Sequence, residues 1–160
     1  MKNIHLIAPK ILFSISTILI ISSCNNTRFL EEGQELYTGS SLKIEGDSIS
    51  KKDKNELEEQ LKKSIVPKPN SSFLGLRPRL YIYNITKEPK KQKGLWYWLK
   101  YKVGEKPVLM QDVDIDFNKK ILVNYSENKG FFNAKAKSDT VSKNKKTEVN
   151  YELNPNARYY

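Results

Sequence analysis

Residues Asn124–Ala136 read NYSENKGFFNAKA, and the fold turns on how this stretch is divided. Upstream of it, in MQDVDIDFNKKILVNYSENKG, Val113, Phe117, Ile121 and Tyr125 recur at every fourth position, and Leu122 widens the stripe. That period predicts a helix, although its beginning, VDIDF, also alternates as a strand would. Gly130 directly after Lys129 suits a helix C-terminus, because glycine enters the left-handed conformation without a Cβ clash. Past Gly130 the period changes to two. Phe132, Ala134 and Ala136 face one way, and Asn133, Lys135 and Lys137 the other. SKNKK then makes a polar turn, and TEVNYEL sets Val149, Tyr151 and Leu153 opposite Glu148, Asn150 and Glu152. Two alternating runs around a short polar turn predict a hairpin, which Pro155 ends.

Toward the N-terminus, SLKIEG (Ser41–Gly46) alternates Leu42 and Ile44 against Lys43 and Glu45, which predicts a half-buried strand. Ser50 opens SKKDKNELEEQLKKSI, where Ser50 and Asp53 form a capping pair and Leu57, Leu61 and Ile65 share one face. Glu58–Lys62 and Glu59–Lys63 add i,i+4 ion pairs with the acid on the N-terminal side. Pro67 and Pro69 stop this predicted helix. Residues 25–36 are short and polar, with one apolar spot at Phe29 and Leu30, and read as a tether.

Residues 67–106 differ in kind. They hold eight Lys and two Arg against two Glu, the whole charge surplus of the chain once Lys2 and Lys10 are set aside. Both tryptophans, Trp96 and Trp98, lie here among five other aromatic residues. RLYIYNI alternates as a strand would, and GLWYWLKYKV reads as an amphipathic helix or a short strand. Three uses fit a basic, aromatic segment: core aromatics with lysines on the outer face, contact with a bilayer interface or partner, and stacking on single-stranded nucleic acid.

The chain begins with Lys2 and Lys10 around no acid, followed by the apolar run ILFSISTILII, Ile11–Ile21. This run is short of the roughly 20 residues that span a bilayer as a helix. It fits the n- and h-regions of a secretory signal peptide. Ile21, Ser22, Ser23 and Cys24 then resemble a bacterial lipobox; an ordinary signal peptide with an incidental cysteine is the plainer alternative. The lipobox resemblance implies cleavage before Cys24, with residues 1–23 removed and a covalent lipid on the Cys24 thiol. Asn25, rather than Asp, at the next position favours outer-membrane placement by analogy.

Composition excludes several classes. Cys24 is the only cysteine and His5, in the leader, the only histidine, so neither a disulfide framework nor a zinc finger is available. Asp112, Asp114 and Asp116 begin like a calcium loop, but Phe117 stands where the loop needs glycine and Val123 where it needs glutamate. No phosphate-binding loop or nucleophile elbow appears, and nothing pairs a nucleophile with a base. The expectation is a non-enzymatic chain with no metal, no cofactor and no small-molecule substrate.

The order strand, helix, insert, helix, strand, strand resembles a POTRA domain, the periplasmic module of the BamA/TamA family of outer-membrane assembly proteins. The residues that carry this are Tyr125 near the helix end, Gly130 with Phe131, Ala134 in the next strand, and loosely Gly104–Pro107 before the helix. FLGLRPRLYIYN and the Trp-rich stretch resemble the lipoprotein TamA-like (TamL) subgroup of Bacteroidota, over most of residues 24–160. The resemblance implies an α+β fold with a mixed three-stranded sheet and two helices on one face. It divides the chain into the leader, a tether over 24–40, a POTRA-like domain over 41–154 with residues 67–106 as its insert, and the start of a following module over 155–160. No stretch supplies the strands of a transmembrane barrel.

The functional expectation is a lipid-anchored module of outer-membrane protein assembly facing the periplasm. It would bind clients or partners by β-augmentation at a sheet edge, either Leu42 and Ile44 or Phe132, Ala134 and Ala136. Nucleic acid is not an expected partner of such a protein. The rival expectation is a stand-alone envelope lipoprotein that takes lipid headgroups or other anions on Arg77, Arg79, Lys90, Lys91, Lys93, Trp96 and Trp98.

Overall fold

A computed structural model describes residues 26–46 and 49–156. Cys24 and its lipobox residues Ile21, Ser22 and Ser23 lie outside the described residues, as do residues 157–160. Among the described residues the fold is α+β, with four α-helices and one open, mixed, three-stranded sheet. The described chain forms two compact units, residues 30–70 with 107–156 and residues 26–29 with 71–106.

The first unit holds the sheet. Strands β1 (Leu36–Ile44), β2 (Lys135–Lys143) and β3 (Lys146–Asn154) lie in the order β1-β3-β2, with β3 parallel to β1 and antiparallel to β2. β2 and β3 are joined by Asn144 and Lys145, both at positive φ, the geometry that two-residue hairpins prefer. Val149, Tyr151 and Leu153 are buried as their alternation predicts, while Glu148 and Glu152 are exposed. Helices α1 (Lys51–Ser64) and α4 (Ile115–Asn128) cover that face, and Leu57, Leu61 and Leu122 join Leu42, Ile44, Val149, Tyr151 and Leu153 in one core. Burying each such side chain contributes about 1.5–3 kcal/mol.

The predicted helix signals recur as contacts. Ser50 Oγ accepts from the Asp53 N–H at 3.1 Å and donates to Asp53 Oδ2 at 2.8 Å. Lys62–Glu58 and Lys63–Glu59 pair at 2.5 and 2.7 Å. At the end of α4 the Phe131 N–H donates to Ser126 O (3.0 Å) and the Gly130 N–H to Glu127 O (2.9 Å), a Schellman closure with Gly130 at φ 89°.

β1 begins at Leu36, so Leu36–Ser40 is strand rather than tether; pairing with the distant β3 leaves no local signal for it. Within the same supposed tether, Asn26–Phe29 forms a turn of 3-10 helix with Asn26 and Thr27 buried. The buried face of α4 keeps Leu122 of the predicted stripe but centres on Asn118, Leu122 and Ser126, while Phe117 is half exposed. Phe132 lies outside β2 and is half exposed, whereas Phe131 is buried, because Asn133 at φ 60° breaks the alternation.

In the second unit RLYIYNI is helical, within α2 (Pro78–Ile85), against its strand-like alternation. Over seven residues the two periods are hard to separate, and Pro78 at the first turn pre-sets helical φ. GLWYWLKYKV supplies α3 (Leu95–Trp98), which runs on into a π-helical turn, Leu99–Val103. This turn packs on α2, and Arg79 fastens the pair: its Nε donates to Val103 O at 2.9 Å and its guanidinium meets Glu105 at 3.0 Å. Glu105 also accepts from the Ser71 N–H (2.8 Å) and hydroxyl (2.7 Å).

Candidate functional site

The two edge strands of the sheet differ in availability. On β1 the Tyr37 N–H donates to Val108 O at 2.9 Å, and the Met110 N–H donates to Glu35 O at 2.8 Å. Leu36 bridges Leu109, so a neighbouring segment already lines the start of this edge. Toward its far end, Leu42 and Ile44 have no outer backbone partner among the described residues.

Among the described residues β2 has no such neighbour along its length. Its register with β3 is unbroken from Lys143↔Lys146 to Lys135↔Asn154. In a hairpin closed by a two-residue turn, hydrogen-bonded pairs alternate outward from the turn. The backbone groups of Ala136, Ser138, Thr140 and Ser142 therefore point away from β3. Beside this edge runs a groove of about 440 Å³, walled by Asp116, Lys119, Lys120, Val123 and Asn124 of α4 and floored by Ala136. Lys119 is held to Asp116 at 2.7 Å, and this ion pair lowers the Asp116 pKa. Of the proposed edge residues, Ala136 belongs to the open edge, Ala134 is buried just before it, and Phe132 is outside it.

The three aspartates that resemble a calcium loop have separate structural tasks. Asp114 caps α4 by accepting the Phe117 N–H at 2.8 Å, and Asp112 accepts the Leu109 N–H at 3.0 Å. No group able to hold a metal ion occurs among the described residues.

A second feature lies in the unit of residues 71–106. Ile85, Lys87, Glu88, Pro89, Lys90, Lys91, Lys93 and Trp96 line one groove of about 630 Å³. Lys90, Lys91, Lys93 and Trp96 thus come together as the sequence suggests. Trp98 is half exposed but does not line the groove. Arg79 is committed to Glu105 and Val103, and Arg77 is half-buried before α2, so neither belongs to this patch. Lys87 and Ile85 complete the groove beside the expected residues.

The only acid of this groove is occupied. Glu88 pairs with Lys100 at 3.1 Å and accepts the Tyr101 hydroxyl. Lys100 itself donates to Thr86 O at 3.0 Å and lies 4.7 Å over the Tyr83 ring. The Tyr101 bond, then that of Lys100, lowers the Glu88 pKa, while the Glu88 bond pushes Tyr101 up to about 12. A phenol raised above its unfolded value holds its contribution below about pH 10 and loses it as pH climbs to about 12. Ultraviolet titration should accordingly lose one late-ionising tyrosine in Tyr101→Phe, while Tyr37 and Tyr151, both raised by burial, still ionise late.

No helix among the described residues is long and apolar enough to cross a membrane. No family model matches the chain, and no curated protein or solved structure matches it significantly.

Proposed function

We propose that the chain is a lipid-anchored, POTRA-type module of outer-membrane protein assembly that binds an extended client or partner segment on β2. The observation that carries this reading is the open β2 edge alongside the α4 groove. Strand addition there satisfies the outward groups of Ala136, Ser138 and Thr140, and main-chain bonds of this kind tolerate many client sequences. Alternate side chains of the added strand would lie over Val123 and Ala136, between lysines, which suits small apolar residues interspersed with acids. The order β1-β3-β2 and the two helices on one face support the POTRA-type reading; Cys24 after its apolar run supports the anchor. The reading assigns no catalysis and no cofactor beyond the lipid.

Proline tests it. At Ser138 and Thr140 the ring deletes outward N–H groups and leaves the β2–β3 ladder intact, a placement that edge strands accept. The Ser138→Pro/Thr140→Pro protein should keep its circular dichroism spectrum and lose more than about tenfold in affinity for an unfolded barrel polypeptide, since two backbone bonds are worth roughly 1 kcal/mol each. Unchanged affinity would remove β2 as the binding edge.

A further inference from the structure

We propose that the groove at residues 85–96 docks on an anionic membrane surface, seating a lipid phosphate among Lys87, Lys90, Lys91 and Lys93, with Ile85 and Trp96 at the acyl boundary. The proposal rests on the lipid-anchored reading for its location and adds the ligand chemistry of a second site.

Charge is the first argument. None of the four lysines forms an ion pair among the described residues. The single acid, Glu88, is turned to Lys100 and Tyr101. The groove is therefore left with cations that lack a counter-charge, and each lysine near an anionic surface strengthens binding about fivefold.

Apolar exposure is the second. Trp96 is 64% exposed and Ile85 51%, and beside them Leu95 and Trp98 are 65% and 52% exposed. Indole rings favour the headgroup level, and aliphatic side chains favour the region just below it. Single-stranded nucleic acid would need successive ring faces, and Trp96 is the one aromatic ring that lines this groove.

Chain length is the third. Asn26 belongs to the same unit, where its Nδ2 donates to Arg77 O at 3.3 Å, and Phe29 meets the Tyr81 ring edge at 6.2 Å. Only Asn25 separates Asn26 from Cys24. At most about 3.6 Å per residue, a lipid on Cys24 holds Asn26 within roughly 7 Å, about the depth of one headgroup layer. An unacylated chain would lose this tether but keep the groove.

Trp96 and Trp98 are the only tryptophans, so the emission comes from the groove's Trp96 and from the exposed Trp98 two residues on. The full-length protein is reconstituted into phosphatidylcholine vesicles, with or without phosphatidylglycerol, using lipids brominated on the acyl chain. Phosphatidylglycerol should bring a blue shift and quenching that high salt reverses. Replacing Lys87, Lys90, Lys91 and Lys93 by Gln should abolish more than about half of the added quenching, as loss of their surface attraction requires. Quenching that ignores lipid charge, or survives the four substitutions unchanged, overturns the proposal. So does a tryptophan response to an oligothymidylate with none to phosphatidylglycerol. Mass spectrometry of the N-terminus separates the two readings: an unmodified Cys24 with charge-dependent quenching removes the anchor and upholds the groove.

Discussion

Asn118→Ala should lower the stability of the sheet unit by about 3 kcal/mol, the largest effect expected of any single substitution here. Asn118 is fully buried on α4, an unusual place for an amide. Its Oδ1 accepts the Val66 N–H at 2.9 Å, and its Nδ2 donates to Val66 O at 2.6 Å and to the Tyr151 hydroxyl at 3.2 Å. The side chain thus satisfies both backbone groups of Val66, two residues past the end of α1, and ties them to α4 and β3. Truncation deletes all three bonds, each worth roughly 1 kcal/mol, and takes from the fully buried Tyr151 hydroxyl its Asn118 partner. Tyr151→Phe, which removes one bond and keeps the ring, should cost about 1 kcal/mol. Urea denaturation of both variants measures the difference. Equal midpoints for Asn118→Ala and the parent would show that the Val66 bonds contribute nothing.

Asn118 also marks where the sequence stops being legible. Counting apolar residues favours the stripe Val113, Phe117, Ile121 and Tyr125, widened by Leu122; Val113 and Leu122 are buried, but within the helix Leu122 shares the buried face with Asn118 and Ser126. Both polar members are satisfied inside the core, Ser126 Oγ by donating to Leu122 O at 2.8 Å. A hydrophobicity count cannot see a polar residue whose partner is 52 positions away. Helix α1 and strand β3 were legible for the opposite reason: their caps, ion pairs and alternation are local, and tertiary packing agrees with them. The start of β1 was hidden because LYTGSS is mostly small and polar and takes its conformation from a parallel partner over a hundred residues away.

The candidate sites divide in the same way. The lysine run and its tryptophans are evident in sequence, as is the presence of two possible edges. The structure then supplies what a linear pattern lacks. Val108 and Met110 occupy the start of the β1 edge, Arg79 is withdrawn into a structural bond, and Glu88 is turned from its lysines toward Lys100 and Tyr101. Each of these depends on a pairing between segments distant in the chain, and each changes which residues remain available to a partner.

Gly104→Ala should destabilise the unit of residues 71–106 by about 2 kcal/mol, in the range seen when close packing is overfilled. The backbone at Gly104 is ordinary, with φ −68°, so the requirement for glycine is spatial. A Cβ would lie 2.5 Å from the Lys100 carbonyl oxygen and 3.0 Å from Cα of Tyr83. Both obstacles include backbone, so relief requires moving the π-helical turn away from α2. Such a shift strains the Gly104 N–H bond to Leu99 O (2.8 Å) and the neighbouring Arg79–Glu105 contacts. Hydrogen exchange should quicken at the amides of Tyr81, Trp98 and Gly104 in the variant, while the β3 amides keep their protection. The same displacement loosens Lys100 from Glu88 and returns a carboxylate to the lysine groove. Phosphatidylglycerol-dependent quenching of the tryptophans should therefore weaken although no lysine has been altered. Faster exchange with unchanged quenching would separate helix packing from the groove and assign Glu88 no part in its charge balance.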